Sequence, residues 1–171
     1  PLRHGAPPRG NHFRLNWRFV STLPDFSMTF SIIARCPRTG QLGLAAASYS
    51  VAIGLYSDNA IRENTGVTLT QGFPNPRNNH LAMHLLAQGH APSHVLAELL
   101  ANDADGDYRQ IALVNREDVA VAHSGAKLRP WAGHRIGKGF VAFGDMLAGP
   151  KVVDAMAAAF EGSAEKELDE R

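Results

Sequence analysis

Thr29-Phe30-Ser31-Ile32-Ile33-Ala34-Arg35 is the stretch on which the reading of this chain turns. Its β-branched and aromatic residues specify a strand, and Cys36-Pro37-Arg38-Thr39-Gly40 turns the chain at its end. Thr29 stands immediately after Met28. A chain beginning at Thr29 would carry a hydroxyl nucleophile and a free α-amine on one residue. That amine has an intrinsic pKa of roughly 7.7–8.0, close to what a general base needs at neutral pH. Threonine activated by its own N-terminal amine is a known route to amide cleavage. The plainer alternative is that Thr29 only opens a strand.

Residues 1–28 differ in character from the rest. They hold Arg3, Arg9, Arg14 and Arg18 against one acid, Asp25, with Pro1, Pro7, Pro8 and Pro24 interspersed. They show no sustained apolar period and no apolar run of secretory-signal length. The expectation is an Arg/Pro-rich extension or leader, disordered, ahead of one domain over residues 29–171. Translation starting at Met28, followed by removal of that methionine, would expose Thr29. Self-cleavage of a leader is the other route. Without these residues 13 basic and 15 acidic side chains remain, a balance of −2. Such a near-neutral domain argues against nucleic acid as a main partner.

The whole chain has 171 residues and 44% hydrophobic content, enough for one compact cytoplasmic domain with a sizeable core. No apolar run reaches membrane-spanning length, so no membrane association is expected. The single cysteine, Cys36, excludes an intrachain disulfide framework and a multi-thiolate zinc site.

Further strands are expected over 41–50, 66–71, 108–114, 119–123 and 139–143. Asn75-Pro76 starts a helix bearing Leu81, Leu85 and Leu86, which Gly89 ends. Pro92-Ser93 starts a second with Val95, Leu96, Leu99 and Leu100, and a third follows Pro150 through Phe160. Glu161 to Arg171 reads as a solvated helical tail. Strands grouped on either side of a helical pair indicate an antiparallel α+β domain rather than alternating βαβ units. Glycine-rich nucleotide-binding loops are absent.

Four segments together resemble one family: Thr29 to Arg35, His123-Ser124-Gly125-Ala126, Trp131-Ala132-Gly133-His134, and Asp145-Met146-Leu147-Ala148-Gly149-Pro150. Their spacing agrees too, and the similarity runs from Met28 to about Phe160. The family is the uncharacterised bacterial group known as domain of unknown function 1028, assigned to the N-terminal-nucleophile hydrolases. The resemblance implies a four-layer αββα sandwich in which two antiparallel sheets pack face to face between helices. It implies C-terminal strands beyond Arg171 as well, so a sheet edge is left open and self-association into a homo-oligomer is one way to cover it. Relatives usually carry asparagine where this chain has Asp145. An amide donates a hydrogen bond to an oxyanion, whereas an ionised carboxylate does not.

The candidate catalytic residue is therefore Thr29, acting on a small amide or peptide-like substrate. Ser48 and Ser50 share one face of the second strand, within reach of the first, where a plain sheet hydrogen bond is the simpler reading; Ser48 is also a candidate for substrate binding. His123 at a strand end, Trp131 and His134 in a Gly/Pro-rich loop, and Asp145 are candidates for substrate binding. The proteasome-type lysine has no early counterpart, and Lys127 and Arg62 are the nearest substitutes. His80 and His84 have the i,i+4 spacing of two metal ligands on a helix, with His90 and His94 nearby, but no Glu or third ligand accompanies them. Neither a cofactor nor a metal is expected. The readings are an amide hydrolase using Thr29, a noncatalytic small-molecule-binding protein of the same fold, and a metal-dependent enzyme using the helix histidines.

Overall fold

A computed structural model describes residues 28–171. The expected leader lies outside the described residues except for Met28.

Eight strands and three helices follow in the order β1 (Thr29–Arg35), β2 (Leu42–Ser48), β3 (Ile61–Arg62), β4 (Gly66–Gly72), α1 (Pro76–Ala87), α2 (Pro92–Ala101), β5 (Arg109–Asn115), β6 (Ala120–Ser124), β7 (Gly133–Gly137), β8 (Phe140–Asp145) and α3 (Lys151–Gly162). Two four-stranded antiparallel sheets result, ordered β2-β1-β8-β7 and β3-β4-β5-β6. The fold is thus mixed α+β, with two antiparallel sheets and three helices.

Alternation along each strand explains how the faces are used. Ile33, Val141 and Phe143 of the first sheet meet Val67, Leu69, Ala112 and Val114 of the second in one buried cluster. Ile111 and Leu113, offset by one position on β5, instead pack with Ala82, Met83, Leu86, Val95 and Leu99 of α1 and α2. On the opposite side of the first sheet, Ala34, Phe140 and Ala142 pack against Ala157 and Phe160 of α3. Sheets covered on both faces lose the clean apolar-polar alternation, and β5 is buried at every position.

The helix starts follow their sequence signals. Asn75 caps α1 by accepting the Arg77 N–H, with Pro76 in the first turn, and Pro92 opens α2 in the same way.

Three expectations need correction. Gly133 to Gly137, read as loop, is strand β7, held on β8 in the register His134↔Phe143. Its two glycines and single β-branched residue gave no strand pattern. The short β3 was not anticipated either. The tail after α3 is exposed over most of its length, as expected, but it is not one helix, and its end folds back: Leu168 packs beside the α3 cluster, and the Arg171 guanidinium lies 3.9 Å over the Phe160 ring.

Candidate active site

The space between the sheets is apolar along most of its length and polar at one end. β1 carries Thr29 and Ser31 before Ile33 on its inner face. β4 carries Val67 and Leu69 and then Gln71; β5 carries Gln110 before Ala112 and Val114; β8 carries Val141 and Phe143 before Asp145. Antiparallel pairing brings these polar positions to the same end. β2, β6 and β7 add Ser48, Ser124 and His134 there.

The polar residues are joined across the gap. Ser31 Oγ donates to Gln71 Oε1 at 2.6 Å, and Gln71 Nε2 donates to Gln110 Oε1 at 2.8 Å. Gln110 Nε2 lies 2.9 Å from the Gly144 carbonyl, 3.0 Å from that of Gly133 and 3.0 Å from Ser124 Oγ. Carbonyls only accept, so Nε2 must face them and Oε1 must face Gln71; each amide is oriented by the next. Ser124 Oγ in turn lies 2.9 Å from His134 Nδ1. Burial, together with the nearby charge of His123, lowers the His134 pKa and favours the neutral ring.

Thr29 closes the other side of this polar layer. Its hydroxyl shares a 2.9 Å hydrogen bond with Ser48 Oγ, which also accepts the Ser50 N–H. The register sets Thr29 between Ser48 on β2 and Asp145 on β8. Thr29 and Asp145 are only 6% and 3% exposed, and Asp145 Oδ1 is buried without a hydrogen-bond partner. Burial pushes the Asp145 carboxyl up to about 6, against a partial opposing pull from its own backbone N–H and from Arg129.

A cleft of about 360 Å³ opens onto Asp145, lined by Tyr49, Gly72, Phe73, Tyr108, Lys127 to Arg129 and Met146. Met28 extends β1 toward it, its carbonyl accepting the Tyr49 N–H at 3.3 Å. Met146, directly after Asp145, holds a left-handed backbone (φ 55) and turns the chain out of β8 along the cleft wall. The opposite wall is braced by a buried ion pair. Arg109 Nε and Nη2 reach Asp103 at 2.5 and 2.8 Å, and Nη1 donates to the Phe73 carbonyl. Arg109 holds the Asp103 carboxyl far below the usual range, with help from Asn78 and Asn75.

The structure therefore brings Thr29, Ser48, Asp145 and His134 to one end of the sandwich. Trp131 lies close by, its backbone paired with Leu147 and its ring covering Gly133. His123 shares the helix-facing side of β6 with Val121, and its Nε2 is 3.1 Å from the Gly106 carbonyl. Gln71, Gln110 and Ser124 were not singled out from the sequence. The signal that could have found them is the repeated switch from apolar to polar at matching strand ends. Lys127 lines the cleft, whereas Arg62 lies exposed on β3. The helix histidines are exposed, His80 beside Asn59 and Asp58 and His84 beside Gln88. Among the described residues, no three His, Cys, Asp or Glu side chains are grouped to hold a metal ion. No helix among them is long and apolar enough to cross a membrane.

Comparison with known proteins adds a family. A model of a family of unknown function, DUF1028, matches residues 29–171. The chain belongs to that family. A crystal structure of the DUF1028 protein SPO2555 from Silicibacter pomeroyi is similar, with a TM-score of 0.77 and 29% identity over 84% of this chain. The present chain spans 66% of that DUF1028 relative. No curated protein matches it. The DUF1028 match begins at Thr29, the first residue of β1 and the residue hydrogen-bonded to Ser48.

Proposed function

We propose that this chain is an amide or peptide-bond hydrolase of the N-terminal-nucleophile type, built on that class's αββα sandwich, with Thr29 as nucleophile once the residues ahead of it are removed. One observation carries the reading: a threonine hydroxyl sits at the start of a central strand, in the polar end of the inter-sheet space, beside a buried carboxylate oxygen that has no donor. A free α-ammonium on Thr29 is a donor of the kind that Asp145 lacks. Removing Met28 also removes the carbonyl bonded to Tyr49, a residue of the cleft wall.

In the reaction, Thr29 Oγ attacks the amide carbonyl carbon and its proton passes to the neutral α-amine. The tetrahedral adduct collapses, the C–N bond breaks, and the leaving amine takes that proton. Water then attacks the Thr29 ester, again with the α-amine as base, releasing the acid and restoring the hydroxyl. Ser48 orients the Thr29 hydroxyl, and Asp145 orients the amine.

Intact-mass measurement of protein expressed from Met28, treated with a hydroxyl-reactive acylating probe, tests this. The expected result is a chain starting at Thr29 that carries one acyl group, lost in Thr29→Ala. A retained N-terminal segment with no adduct in the wild type would sink the hydrolase reading and leave the noncatalytic binding protein of the same fold.

A further inference from the structure

The large aromatic side chains most exposed among the described residues are Tyr49, Phe73 and Tyr108, at 57%, 62% and 45%. All three line the cleft over Asp145. Scattered exposed apolar side chains need no explanation, but aromatics converging on one concavity mark a binding surface. Two cations share the cleft. Lys127 Nζ is already engaged, 3.3 Å from Asp107 Oδ2 and 5.1 Å from the Tyr108 ring centre. Arg129 is exposed and forms no salt bridge among the described residues; its guanidinium is 3.9 Å from Met146 Sδ. The one acid lining the cleft, Asp145, is buried. The outer part of the cleft is therefore cationic and aromatic.

We infer that the cleft binds a small amide bearing an aromatic group and a free carboxylate, such as an N-acyl aromatic amino acid, with the carboxylate on Arg129 and the ring among Tyr49, Phe73 and Tyr108. A guanidinium presents paired N–H donors that match the two oxygens of a carboxylate, which a lysine does not. Aromatic walls bury the ring at small entropic cost. A cleft of about 360 Å³ is at the lower end of the usual range for ligand sites, which suits a molecule of dipeptide size. The inference names the substrate class for the hydrolase proposed above and rests on that reading only for the chemistry after binding. Thr29 is not part of the cleft lining, so binding is measurable on the full chain before any processing.

The experiment titrates the ¹⁵N-labelled 171-residue chain with N-acetyl-L-phenylalanine and, separately, with its uncharged amide. Shifts are expected at the backbone amides of Gly72, Tyr108 and Met146, with the carboxylate form binding at least tenfold more tightly. Arg129→Gln should bring the two probes within about twofold of each other, Arg129→Lys should recover only part of the difference, and Arg62→Gln should leave it unchanged. Equal affinity for both probes, no binding at millimolar concentration, or shifts confined to another surface would each overturn the inference. Thr29→Ala should bind both probes as the wild type does. If it does and no Thr29 acyl adduct forms in the wild type, the cleft assignment stands and the hydrolase reading falls. Adduct formation without preference for the carboxylate would overturn the cleft assignment and leave the hydrolase reading standing.

Discussion

Asp145 Oδ1 is buried beside Thr29 with no donor to satisfy it, and the carboxyl is pushed up to about 6 from its ordinary value near 3.8. The folded protein therefore holds this proton more tightly than the unfolded chain does. Stability from this group is fully present below about pH 4 and is lost as the pH rises through about 6. The displacement corresponds to a cost on the order of 3 kcal/mol once the group is ionised. Asp145→Asn keeps the shape, removes the charge and brings a donor amide. The variant of the unprocessed chain should be more stable than the wild type by roughly 2–3 kcal/mol at pH 7.5, with the gain vanishing near pH 4. Urea titrations across that range measure it, and a gain independent of pH would show that charge is not the cause. Ser48 makes a smaller contribution, since one neutral hydrogen bond to Thr29 is worth about 1 kcal/mol.

At the scale of strands, the two glutamines act as a clamp between sheets. Gln71 on β4 and Gln110 on β5 together engage Ser31, Gly133, Gly144 and Ser124, tying β1, β7 and β8 to the second sheet. Gln110→Met should cost about 2–4 kcal/mol, because it leaves the buried Gln71 Nε2 without its acceptor and takes a donor from the Gly144 and Gly133 carbonyls. Gln71→Met combined with Gln110→Met should cost less than the sum of the single changes, since two of the mutually dependent groups go together. Chemical denaturation of the singles and the double reads this coupling, and strict additivity would refute the clamp.

The same elements differ in how far their sequences declare them. β1, β4 and β5 are dense in Val, Ile, Leu and Thr, and the cap at Asn75 and the first-turn prolines Pro76 and Pro92 marked their helices within a residue or two. β7 was lost because Gly133 and Gly137 mask a strand held by its pairing with β8 rather than by propensity. Gln71 and Gln110 were passed over because both faces of their sheet are covered, so burial is continuous, and the apolar-to-polar switch that marks them shows only once the matching strand ends are aligned. The Ser124–His134 contact joins two edge strands from different sheets, a relation that no local spacing encodes. Thr29 was the exception, legible from its place at the start of a strand directly after a methionine.

For the whole molecule, the decisive geometry is that β1 starts at the polar end of the inter-sheet space, with Met28 directly ahead of it bonded to Tyr49, a residue of the cleft wall over Asp145. On the proposed mechanism, release of the chain at Thr29 would do two things together: supply a base on the nucleophile's own residue and give Asp145 a cation. A carboxylate beside an ammonium favours the charged amine, so the amine pKa should rise above its intrinsic value of roughly 7.7–8.0. The same attraction should pull the Asp145 carboxyl down, so the loss of stability between about pH 4 and 6 should be weaker in the released chain than in the unprocessed one. On the proposed mechanism acylation of Thr29 would require the neutral amine and should therefore increase with pH, with its midpoint above about 8. In Asp145→Asn the midpoint should move down by about one pH unit toward the intrinsic value, while a chain still carrying Met28 should not acylate at any pH. Single-turnover acylation rates measured from about pH 6 to 10 on the three proteins would check this. An unmoved midpoint in Asp145→Asn would remove Asp145 from its role beside the amine, and acylation of the Met28-bearing chain would remove the amine from its role as base.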